Sequence, residues 1–131
     1  MRTRELCLVS LLVCSMTVLL GCSAESEKTG KTGAPGKVEY SWGALNATES
    51  AGIEKVYDAS LKAVEELKLP IIQKDVDSMS GKIIVRDVAD KKIIITLSAA
   101  TGGMTKISIR VGTLGDEGKS KLIYEQIKNK M

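Results

Sequence analysis

Apolar and polar residues alternate along this chain in four distinct ways. Leu6 to Leu20 is a mostly apolar run without a charge, and Ser23 to Lys37 (SAESEKTGKTGAPGK) has no apolar period at all. From Ile53 to Lys68, Ile53, Val56, Tyr57, Leu61, Val64 and Leu67 recur at steps of three and four. Glu54, Lys55, Asp58, Lys62, Glu65 and Glu66 fall opposite them. This spacing predicts a helix with one apolar stripe, ended by Pro70. Beyond Pro70 the period drops to two in four runs, Ile71–Val76, Lys82–Val88, Lys92–Ala99 and Thr105–Val111. Turn residues separate them: Asp77 to Gly81, Ala89-Asp90-Lys91 and Thr101-Gly102-Gly103. Connections this short require antiparallel hairpins, because a parallel crossover takes about a dozen residues or more. Val38 to Thr48 adds one strand before the helix. Asp116, a good N-cap, opens a last helix with Ser120, Ile123, Tyr124 and Ile127 on its apolar side.

The expected fold is α+β: a single, mostly antiparallel five-stranded sheet in the order β-α-β-β-β-β-α, with both helices on one face. Strand alternation points Ile83, Val85, Ile93, Ile95, Leu97, Ile107, Ile109 and Val111 toward those helices. The opposite face then carries Lys82, Arg86, Lys92, Lys106 and Arg110, with Ile84, Val88 and Ile94 between them and no acid from these strands. It is the candidate binding face, suited to an anionic envelope component. An exposed sheet face kept soluble by its charges is the plainer interpretation of the same residues. Tyr40 and Trp42 follow the polar stretch and either cover one end of the core or meet a membrane interface, where aromatic rings are favoured.

Composition narrows the chemistry. The 131 residues carry a formal charge of +3 and contain no histidine. Losing Arg2, Arg4 and Glu5 would remove a net +1 and leave +2, too small a footprint for a nucleic-acid binder. Without histidine there is no His-based triad, and a transition-metal site is disfavoured. Adjacent Glu65 and Glu66 do not face each other on a helix, so they make no acid/base pair. The expectation is no enzyme, no cofactor and no metal.

Arg2 and Arg4 precede the apolar run, which is short of the roughly 20 residues a spanning helix needs, so residues 1–21 read as a cleaved signal peptide. The run closes on Leu19-Leu20-Gly21-Cys22, which resembles a bacterial lipobox. The resemblance implies diacylglyceryl transfer to the Cys22 sulfur, cleavage between Gly21 and Cys22, and acylation of the new amino group by a palmitate-like chain. Cys7 and Cys14 would leave with the leader. Two or three acyl chains anchor a protein stably where one does not. By resemblance to the sorting preference of enteric bacterial lipoproteins, Ser23 after the cysteine implies the periplasmic face of the outer membrane. Residues 22–37 then form a lipidated flexible tether spanning roughly 20–23 Å, and 38–131 the α+β domain.

Gly112-Thr113-Leu114-Gly115-Asp116-Glu117-Gly118-Lys119-Ser120 imitates a phosphate-binding loop. The motif needs glycine five residues before Gly118, where Thr113 stands, so no nucleotide partner is expected. The residues Tyr40 to Gly43, Val56-Tyr57, Ala59, Val64, Ser80-Gly81-Lys82-Ile83 and Ile109-Arg110-Val111-Gly112 with Gly115-Asp116, Ser120 and Ile123 resemble another pattern. It is that of short bacterial lipoproteins sharing a domain of unknown function. Gly52 departs from it where a Ser-like helix cap is usual, as does Gly118 in the last helix. The resemblance implies a cell-envelope location and a compact domain, and no particular activity. The expected function is a membrane-anchored binding or scaffolding module, held through Cys22. The alternative is an accessory subunit or inhibitor docking on an envelope protein through the basic sheet face.

Overall fold

The computed structural model describes residues 35–131, so the predicted signal peptide, Gly21, Cys22 and most of the predicted tether lie outside the described residues. The elements run β1 (Val38–Ser41), β2 (Ala44–Glu49), α1 (Ile53–Glu66), β3 (Ile71–Val76), β4 (Ser80–Arg86) and β5 (Lys92–Ala100). A 3-10 turn (Thr101–Gly103), β6 (Met104–Val111) and α2 (Glu117–Lys130) complete the chain. All strands join one antiparallel sheet in the order β1-β2-β6-β5-β4-β3.

The α+β class, the two helices and the single antiparallel sheet agree with the sequence. The strand count and element order do not: there are six strands, in the order β-β-α-β-β-β-β-α. The predicted first strand, Val38 to Thr48, is a hairpin. Trp42 and Gly43 both have positive φ (54° and 74°) and reverse the chain between Ser41 and Ala44. Two consecutive left-handed residues match the twist of a two-residue hairpin. The reversal also shifts the alternation, since Val38 and Tyr40 pair with Ala47 and Leu45.

One core lies between the sheet and the helices. Leu45, Ile83, Val85, Ile93, Ile95, Leu97, Ile107, Ile109 and Val111 meet Val56, Ala63 and Val64 of α1 and Ile123, Tyr124 and Ile127 of α2, all buried. β-branched residues suit a pleated surface, and here they supply most of its inner face. Gly81 has a reason in this packing: a Cβ there would meet Tyr57 at 3.3 Å and Leu97 at 3.4 Å. α1 starts at Gly52, which makes no side-chain cap, whereas Asp116 caps α2 by accepting from the Lys119 amide at 3.0 Å. Among the described residues no helix is long and apolar enough to cross a membrane.

Candidate functional site

Both helices pack on the same side of the sheet, which leaves its other face as the broad uncovered surface of the domain. Strand register decides what stands there. One row runs Gln73, Ile84, Ile94, Arg110, Ala44, Ser41, and the next runs Asp75, Lys82, Thr96, Ser108, Asn46, Glu39. Ser80, Ser98, Lys106 and Thr48 form a third row, and Arg86 faces Lys92 at the opposite margin. The five cations Lys82, Arg86, Lys92, Lys106 and Arg110 therefore share one face, and all are exposed.

The face is less purely basic than the sequence suggests. The edge strands bring Asp75 beside Lys82 and add Glu39, and the β4–β5 loop brings Asp90 to Arg86 at 2.7 Å. That exposed pair contributes less than about 1 kcal/mol and leaves Arg86 available to a ligand. Arg110 donates through Nη2 to the Thr113 carbonyl at 2.8 Å. Val88, expected among these cations, lies beyond β4 in the loop and is 97% exposed. Ile84 is buried although it points away from the helices, and Ile94 beside it is half-buried. A shallow depression of about 590 Å³ opens on this face between Asp90, Lys91, Lys92, Ile94, Arg110, Gly112 and Thr113.

Three buried hydroxyls do structural work. Ser60 donates to Val56 O, Thr105 to Ala51 O and Ser120 to Asp116 O, each at 2.7 Å. None of the three is aimed at a base. Among the described residues no group of three His, Cys, Asp or Glu side chains is placed to hold a metal ion. The shifted titrations also belong to the scaffold. Lys119 bonds to Asp87 and holds that carboxyl below its usual range, while Asp87 raises the Lys119 ammonium in return. Burial, then Asp75 and Asp58, pushes Tyr57 up, and burial together with Glu49 pushes Tyr124 higher still.

The phosphate-loop mimic between β6 and α2 is a corner, and Gly112, Gly115, Asp116, Lys119 and Ser120 build it. Gly112 and Gly115 turn the chain with φ of +70° and +86°. Asp116 caps the helix, Ser120 bonds back to it, and Lys119 reaches the β4–β5 loop through Asp87. Two pairings were not legible from spacing alone. Tyr124 donates to Glu49, 75 positions away, and Gly43 lies against the backbone of Leu114 and Gly115.

Residues 5–130 match the family model described as "Protein of unknown function (DUF3568)", and the chain belongs to that family. No curated protein matches it.

Proposed function

We propose that this member of the DUF3568 family is a lipid-anchored module of the bacterial cell envelope, probing its surroundings by binding and carrying out no catalysis. The carrying observation is the one-sided cover of the sheet. Two helices cover one face, and the other presents Lys82, Arg86, Lys92, Lys106 and Arg110 around the Ile84–Ile94 patch. Convergent positive charge attracts anions over a Debye length and gives salt-dependent affinity. The partner class is an anionic, phosphate-bearing component of the envelope. The anchor in this proposal is Cys22, cut from the leader after Gly21, with the periplasmic face of the outer membrane as its location. A second reading, an accessory subunit or inhibitor of an envelope protein, draws support from the free edge of β3, where Ile72 and Val76 are half-exposed.

Two measurements test the proposal. Cys22→Ala is expected to abolish incorporation of labelled fatty acid and release the protein from the membrane fraction. A wild-type chain that takes up no label would refute the anchor. Lys82→Glu combined with Lys106→Glu is expected to weaken binding of inorganic polyphosphate by on the order of tenfold at low salt. Equal binding by variant and wild type would exclude the face as the anion site.

A further inference from the structure

Three large apolar side chains stand almost wholly in water: Trp42 at 96% exposure, Val88 at 97% and Leu114 at 90%. They come from three different connections, β1–β2, β4–β5 and β6–α2. Register places all three at one end of the sheet. Ser41 pairs with Ala44 beside that end, Ala44 with Arg110, Ile93 with Val111 and Arg86 with Lys92.

These loops are braced. A Cβ on Gly43 would stand 2.7 Å from the Leu114 carbonyl oxygen, so the first and third loops touch through their backbones. Asp87 holds the second loop to α2 through Lys119. Trp42 adopts φ 54°, a conformation that a bulky side chain takes at a cost and that Asn or Gly would take more easily. Its indole is almost fully hydrated, so no contact within the domain offsets that cost.

The charge around the three tips has one sign left over. Asp87 is paired with Lys119, Asp90 with Arg86 and Glu117 with Lys121, and Asp116 caps α2. Lys91 and Lys92 make no direct ion pair among the described residues, and Arg110 spends one nitrogen on a carbonyl. Separate apolar points on loop tips, one of them aromatic and backed by lysine and arginine, match the chemistry of a bilayer interface. A protein partner would more commonly meet a contiguous apolar patch.

We propose that this end of the domain is a membrane-docking tip for an anionic phospholipid bilayer. Trp42, Val88 and Leu114 enter the interfacial region, and Lys91, Lys92 and Arg110 meet headgroup phosphates. The idea rests on the envelope reading above and names the ligand. The described chain enters the domain at the other end of the sheet, where the Gly36 amide donates to Thr48 O at 2.7 Å. The four residues of β1 separate that point from the tip, on the order of 13 Å.

Trp42 is the single tryptophan of the chain, so its fluorescence reports the tip alone. The purified mature protein is mixed with, or reconstituted into, vesicles of phosphatidylcholine alone or with phosphatidylglycerol. With the anionic lipid the emission is expected to shift to shorter wavelength, acrylamide quenching to fall several-fold, and brominated lipid to quench. Val88→Asp with Leu114→Asp, both at exposed sites, is expected to weaken this response by on the order of tenfold, with an unchanged circular dichroism spectrum. Trp42 that stays in water on anionic vesicles overturns the proposal. So does a shift that needs no vesicles and grows with protein concentration, which would mean a second copy covers the tip. Failure to float with phosphatidylcholine vesicles would instead count against the lipid anchor, while Trp42 still answers for the tip on anionic ones.

Discussion

Gly115→Ala is expected to cost the domain about 3–5 kcal/mol, enough to leave it barely folded, through backbone strain and overlap together. Gly115 has φ +86°, where an L side chain is strained by about 1–2 kcal/mol. A Cβ there would also lie 2.5 Å from Gly43 Cα and 2.5 Å from Tyr40 Oη, and closer still to the Gly43 carbonyl oxygen. Two of those three obstacles are backbone, so relief requires separating the β1–β2 hairpin from the corner that leads into α2. Gly112→Ala is the control. Its φ is +70°, but the nearest obstacle is the flexible Lys91 side chain at 3.8 Å. It should show the strain alone, about 1–2 kcal/mol. Urea unfolding of both variants separates the two effects. Equal losses would mean that Gly43 and Gly115 do not meet as described.

That comparison also explains the most distinctive stretch of the sequence. Gly112, Gly115, Asp116 and Ser120 turn the chain twice, cap a helix and tie its first turn, and Arg110 spends one nitrogen on a loop carbonyl. A motif this specific is accounted for by architecture. Helix α1 and strands β4 to β6 were legible because period and burial agree there; Ile93, Ile95 and Leu97 could face only one way. Edge strand β3, exposed along nearly its whole length, was legible from the turn signals that flank it. The hairpin at Trp42-Gly43 was missed although its signal is present: the inward positions change from Val38 and Tyr40 to Leu45 and Ala47, from even to odd. A straight strand cannot make that change without a reversal or a bulge. Of the two aromatic residues beside it, Tyr40 packs on the core and Trp42 does not. The basic face was legible because alternation alone assembles it. The acids that temper it, Glu39 and Asp75, belong to edge strands whose place in the sheet depends on topology. The same holds for Trp42, Val88 and Leu114, far apart in sequence and gathered at one end only by strand order.

Tyr124→Phe is the other substitution with a large expected effect, about 2–4 kcal/mol at neutral pH. Glu49, at the end of β2, is 9% exposed and accepts the hydroxyl of Tyr124, which is 5% exposed. Removing that donor leaves the carboxylate buried with its partner gone, which costs more than the hydrogen bond itself contributes. Replacing both residues by apolar ones of similar shape, Glu49→Leu with Tyr124→Phe, should therefore cost less than the single change. The same pair sets an alkaline limit. Burial first, then the bond to Glu49 and its charge, raises Tyr124 well above the ordinary phenol value. The fold thus favours the protonated form, and this stabilisation is complete below the unfolded value near pH 10. It is lost as pH rises from there toward the folded value, by at most about 1.4 kcal/mol per pH unit for one such group. Tyr57, also raised, adds a share in the same direction. Urea unfolding at pH 7 and at successive points above pH 10, followed together with tyrosinate absorbance, reads both effects. The wild type should lose stability steeply there and ionise Tyr124 only as it unfolds, whereas Tyr124→Phe should start lower and fall less steeply. A variant as stable as wild type at neutral pH, with the same alkaline slope, would show that Glu49 does not depend on Tyr124.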